Sequence, residues 1–123
     1  MKTLQQHITE RLVLPKNKKG PKSKEELKEM IEAEINKNGN NCSLNHIDVS
    51  NITDMDELFS DFPEFNGDIS KWDVSNVRYM TCMFADTKFN ANISNWNVSN
   101  VKDMSDIFYH CPLKNNPPKW YKE

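Results

Sequence analysis

Asp48, Asp73 and Asn97 occupy one position in three related segments, 25 and 24 residues apart. His46, Lys71 and Asn95 form a parallel row two residues earlier. If the segments pair as neighbouring strands, the two carboxylates come within about 5 Å of each other. That closeness suits an acid/base dyad, in which one carboxyl is forced to keep its proton, or a cation site. A polar column that recurs in every copy is also a turn or ladder device, and a structural role is expected for it here. His7, His46 and His110 are dispersed, and no motif gives them a serine or cysteine partner. The chain has no H-E-x-x-H or G-x-S-x-G, and its three glycines cannot build a phosphate cradle. His110 and Cys111 are adjacent, but a metal site would need two further ligands that nothing nearby supplies. No catalytic residues, metal or cofactor are therefore expected, and the chain reads as a non-enzyme.

The elements that position these rows come from an internal repeat. Ile69–Phe84 aligns with Ile93–Phe108 and with Leu44–Phe59. The columns are Ile47/Trp72/Trp96, Val49/Val74/Val98, Asn51/Asn76/Asn100, Ile52/Val77/Val101, Met55/Met80/Met104, Phe59/Phe84/Phe108 and Phe65/Phe89/Leu113. Trp120, 24 residues after Trp96, opens a truncated fourth copy. Within a copy, Trp72 and Val74 alternate with polar residues, the pattern of a strand with one buried face. Ser-Asn then offers a helix start, and Val77, Met80, Met83 and Phe84 form a stripe at i, i+3, i+6 and i+7. One such unit cannot bury its stripe, whereas stacked units can. The expectation is an α/β repeat: a short leucine-rich-repeat-like solenoid of about three strand–helix units with an N-terminal helical cap. Both the period and the Ile69-x-x-Trp72-x-Val74 spacing suit such repeats.

The recurrent Trp-Asp-Val-Ser-Asn-Val-x-x-Met-x-x-Met-Phe, followed by Phe-Asn-x-x-Ile-Ser, resembles BspA-type leucine-rich-repeat proteins of bacteria. The resemblance covers Leu44 to Leu113. It implies an adhesion or protein-binding module, and because the family motif is structural it carries no catalytic residues across. Family members are often surface proteins with many copies, whereas this chain has about three.

Three segments are expected: 1–21, an N-terminal helix and linker; 22–43, a capping helix; and 44–123, the repeats with a C-terminal cap. Thr3-x-x-Gln6 is a capping-box pattern ahead of Leu4, Ile8 and Leu12, a one-sided stripe ending before Pro15. This helix either docks on a partner or folds back on its own domain. Its first residues resemble those of many small phage-encoded proteins. Lys16–Lys22 reads as a solvated linker. Ser23-Lys-Glu-Glu26 is a second capping box, leading Leu27, Met30, Ile31 and Ile35 towards a stop at Gly39. At the far end Pro112, Pro117 and Pro118 forbid another regular element, and Trp120 is expected to pack over the last copy. An exposed Trp120-Tyr121 pair would instead be a binding hot spot.

A net charge of −2 gives no basic footprint for nucleic acid. No apolar run approaches the roughly 18 residues of a membrane span, and Met1–Glu10 lacks a signal-peptide core. Cys42, Cys82 and Cys111 are odd in number and widely spaced, as structural thiols are. The leading expectation is a protein-binding module in the cytoplasm of a bacterium or infected cell, in its specific form a phage or mobile-element protein that binds and modulates a host protein. A surface adhesin or carbohydrate-binding fragment is the alternative, and a small enzyme using Asp48 and Asp73 comes last. Binding is expected through His46, Asp48, Lys71, Asp73, Asn95 and Asn97, with Tyr79 and Tyr109 showing on helix surfaces. The partner is an unidentified protein, with neither membrane nor nucleic acid expected; the ends of the stack offer a route to self-association.

Overall fold

The computed structural model describes residues 20–122. The expected helix over 2–13 and most of the linker after it lie outside the described residues.

The first element, α1, runs Lys24–Asn38. Ser23 caps it in extended backbone, its Oγ accepting from Glu26 N at 3.1 Å. Glu26 Oε1 in turn accepts from Lys22 N at 2.9 Å, so the two side chains satisfy donors on both sides of the cap. At the other end Gly39 takes a φ of 89°, open to glycine, and its N–H closes on Ile35 O. Leu27 and Ile31 are fully buried in the core of the repeats, with Met30 and Ile35 packed at its margin. Lys24 Nζ donates to Asp56 O and lies 3.6 Å from Asp54, and Lys28 pairs with Asp61. The helix therefore lies against the first copy.

The copies themselves are not strand–helix units, and the expected α/β solenoid of the leucine-rich-repeat kind does not form. Between α1 and the 3-10 turn Pro112–Lys114 there is no helix and no sheet, only bends, turns and two isolated parallel bridges, Asp54–Tyr79 and Tyr79–Asp103. The reason lies in the apolar spacing. Residues three apart are the ends of four-residue turns closed by an N–H of i+3 on the carbonyl of i. Such turns join Leu44 to Ile47, Val49 to Ile52 and Met55 to Leu58, and recur at Ile69–Trp72, Val74–Val77 and Met80–Met83. The third residue of the Met turn has a left-handed φ in all three copies: 57° at Glu57, 55° at Cys82 and 54° at Asp106. A right-handed helix cannot pass through such a residue. Asx turns interrupt the expected strands. Asp48, Asp68, Asp73, Asn92 and Asn97 each accept from the backbone N–H of the serine two residues on.

What holds the copies together runs from each copy to the next. Met55, Glu57 and Phe59 donate their N–H to Tyr79, Thr81 and Met83, while Arg78 N returns a bond to Thr53. The next junction repeats this: Met80, Cys82, Phe84 and Asp86 donate to Asp103, Ser105, Ile107 and Tyr109, and Lys102 N returns to Arg78. Indole N–H groups add a second tie, from Trp72 to Leu44 O, Trp96 to Ile69 O and Trp120 to Ile93 O. Rings follow the same register. Trp72, Trp96 and Trp120 lie 6.4 and 6.3 Å apart and nearly parallel, as Phe59, Phe84 and Phe108 do at 5.3 and 6.0 Å. Trp120 and Tyr121 thus pack on the last copy, half-buried, rather than standing free. The columns fill one continuous core, and among the described residues no buried side-chain nitrogen or oxygen lacks a hydrogen-bond partner.

Candidate functional site

The expected site residues all sit at the surface but serve different ends. His46 is exposed, with Nε2 3.3 Å from Glu34 of α1. The Lys71 backbone N–H donates to Asn45 Oδ1, and Asn95 is exposed. Asp48 and Asp73 each take both the N–H and the Oγ of their own serine, at 2.6 Å to Oγ, and Asn97 takes the N–H of Ser99. The bonds from Ser75 hold Asp73 below the ordinary range, and Ser70 and Ser105 do the same to Asp68 and Asp103. A general acid at neutral pH needs the opposite shift. The aspartate row is thus a row of turn-formers. Tyr79 and Tyr109 are 42% and 45% exposed, the first at the bridges between copies and the second on a turn, neither on a helix, and Tyr109 stacks on His110 at 3.9 Å.

The thiols carry no activated nucleophile. Burial pushes up Cys111, whose Sγ donates to Phe89 O. Burial first, and then Asp106 and Glu57, raise Cys82; burial and Glu34 raise Cys42. A reactive thiolate needs the reverse. Among the described residues all three cysteines are unbridged, and no cluster of three His, Cys, Asp or Glu could hold a metal ion. No helix of the described residues is long and apolar enough to cross a membrane.

An open concavity lies on two other columns. Asn51, Asn76 and Asn100 with Thr53, Arg78 and Lys102 line an open groove of about 350 Å³ that runs across all three copies. The asparagines are fixed by the stack: Asn76 Nδ2 donates to Ser50 O at 2.8 Å, and Asn100 Nδ2 to Ser75 O at 2.6 Å. Arg78 and Lys102 occupy neighbouring rungs, joined by the 2.7 Å bond from Lys102 N to Arg78 O. Neither cation has an ion-pair partner among the described residues, although acidic side chains outnumber basic ones in the chain. Like charges on facing rungs oppose folding by up to about 1 kcal/mol. The fold alone gives no reason for this pair.

The groove was readable in the sequence as the columns Asn51/Asn76/Asn100 and, two residues on, Thr53/Arg78/Lys102. The expectation of a helix there left the Thr53/Arg78/Lys102 column unread.

A family model matches residues 25–122. The chain belongs to the family described as Mycoplasma protein of unknown function, DUF285. The DUF285 match takes in α1, all three copies and the closing Trp120, so the helix and the stack belong to one family unit. No curated protein and no solved structure matches the chain.

Proposed function

We propose that this chain is a non-enzymatic protein-binding module, and that the groove along Asn51, Asn76, Asn100, Thr53, Arg78 and Lys102 is its contact surface. The observation that carries this reading is the line of two cations, without an ion-pair partner among the described residues, held on a backbone ladder beside a row of amides. A guanidinium and an ammonium on adjacent rungs suit carboxylates spaced along an extended acidic segment. The resemblance to BspA-type proteins supports binding as the role. The groove's lining is polar and carries no aromatic ring, unlike the largely apolar pockets that enclose small ligands. A carbohydrate-binding role gains nothing from it.

The test is affinity capture from bacterial lysate with the wild-type chain and with an Arg78→Glu/Lys102→Glu variant. A stoichiometric partner that wild type retains and the variant loses, with retention falling as salt rises, is the expected result. A partner held equally by both would refute the groove. Capture of nothing by the folded wild-type chain would count against the binding role itself.

A further inference from the structure

The last copy ends in an edge that both gives and accepts hydrogen bonds. At each internal junction N–H groups cross both ways. The earlier copy donates from its Met column and from the residue two on, Met80 N to Asp103 O and Cys82 N to Ser105 O at the second junction. The later copy donates back to the carbonyl two residues before that Met: Arg78 and Tyr79 N to Thr53 O, and Lys102 and Asp103 N to Arg78 O. In the third copy the corresponding groups are Met104 N, Asp106 N and Lys102 O, and among the described residues none of them has a backbone partner. The apolar columns agree. Val74, Val77 and Met80 are buried, whereas Val98, Val101 and Met104 are half-buried. Trp120 and Tyr121 pack over Trp96 and Phe108, so this strip lies outside their cover. The opposite end of the stack is taken. There α1 buries Leu27 and Ile31 in the core, and Lys24 Nζ donates at 3.1 Å to Asp56 O, the equivalent of the acceptor Thr81 O.

An edge that carries donors and an acceptor is its own complement when turned about a two-fold axis. We infer that the open edge of the third copy pairs with the same edge of a second copy of this chain, and that the product is a closed dimer. With Met104 on the axis against the partner's Met104, Asp106 N meets Lys102 O of the partner subunit, and symmetry supplies the reciprocal bond. The same register brings the edge's one cation, Lys102, opposite a carboxylate, Asp106 of the partner subunit, on each side of the axis. It also lays the two half-buried strips together around Met104, removing apolar surface from water. Both internal junctions already use this edge to bind another copy of the repeat, so the dimer continues an interface that the chain builds within itself. Because α1 occupies the other end, assembly stops at two. The inference does not rest on the groove as a contact surface.

The test is light scattering on the full chain over a series of concentrations. A monomer–dimer equilibrium that goes no further than two copies is expected. Met104→Lys, which sets two ammonium groups together on the axis, is expected to raise the dissociation constant roughly tenfold or more without changing the circular dichroism spectrum. Should it fail to fold, Val98→Lys tests the same strip. Lys102→Glu and Asp106→Lys should each weaken the dimer, and the two together should restore it. Lys28→Glu, on α1 at the far end, should leave it unchanged. A chain that stays monomeric at every concentration would overturn the inference and give the strip to another occupant. Growth beyond two copies, a dimer indifferent to Met104→Lys and Val98→Lys, a double swap that restores nothing, or a dimer that Lys28→Glu disrupts would overturn it equally.

Discussion

Trp72→Ala is the perturbation that tests the stack most directly. Trp72 is 4% exposed, stacks on Phe59 and Trp96, and its Nε1–H donates to Leu44 O at 2.8 Å. Deleting a buried large aromatic ring costs about 3–5 kcal/mol, a range that includes the cavity left behind. The lost indole also removes one of the two donors to Leu44 O, which keeps the Ile47 N–H at 3.1 Å, so this bond is worth about 0.5–1.5 kcal/mol. The two losses overlap, so roughly 3–5 kcal/mol is expected, close to the whole stability of a marginal domain. Trp72→Phe separates them: it keeps a ring and loses only the indole bond, and should cost about 1–2 kcal/mol. Trp120→Ala should cost less than Trp72→Ala because Trp120 is only half-buried, whereas Trp72 is buried. The assay is urea unfolding followed by far-ultraviolet circular dichroism. A loss below about 1 kcal/mol for Trp72→Ala would refute the reasoning, because the column would then be facing water. A cost for Trp120→Ala equal to that of Trp72→Ala would refute the gradient from middle to end.

Three further outcomes follow from particular contacts. A Cβ at Gly67 would lie 1.8 Å from Cys42 O, so Gly67→Ala should destabilise by about 1–3 kcal/mol through forced backbone movement, whereas Gly39→Ala meets nothing and should cost only the left-handed φ, about 1–2 kcal/mol; thermal melts distinguish them. The N-cap substitution Ser23→Ala should cost about 1 kcal/mol in the same assay. Asp68, Asp73 and Asp103 have folded-state pKa values below the ordinary 3.8, so their contribution is fully present above that value and is lost as pH falls through the folded pKa values. Urea midpoints should therefore drop below about pH 4, and a triple Asp→Asn variant should show a flatter drop while keeping its fold, since Asn92 and Asn97 already build the same turn.

Much of this was open to inspection in the chain itself. The columns of Trp, Val, Met and Phe gave the copies, their register and the closing role of Trp120, because a buried stack must repeat its apolar residues at one interval. Ser23, Glu26 and Gly39 marked both ends of α1, since caps act locally. The interior of each copy was not legible, for a physical reason. Apolar residues at i, i+3 and i+6 satisfy a helix and a run of four-residue turns alike. The decision between them falls at Glu57, Cys82 and Asp106, whose left-handed backbone leaves no trace in residue type. Had glycine stood in that column, the turn would have declared itself. The site followed from the same error. Once Val77–Phe84 was taken for a helix, the line through Arg78 and Lys102 went unread, and the aspartate row drew notice that its serines account for.

The bonds between copies all join residues 22 to 28 positions apart, and the same few contacts recur at each junction. The architecture is therefore modular along one axis. Gaining or losing a whole copy in frame leaves every remaining junction of the same kind, with α1 at one end and the Trp120 segment at the other. Insertion of a few residues inside a turn does not, because it shifts every column beyond it. Variation among such chains should accumulate as changes of length in whole copies, and a groove built from the columns would lengthen or shorten with them.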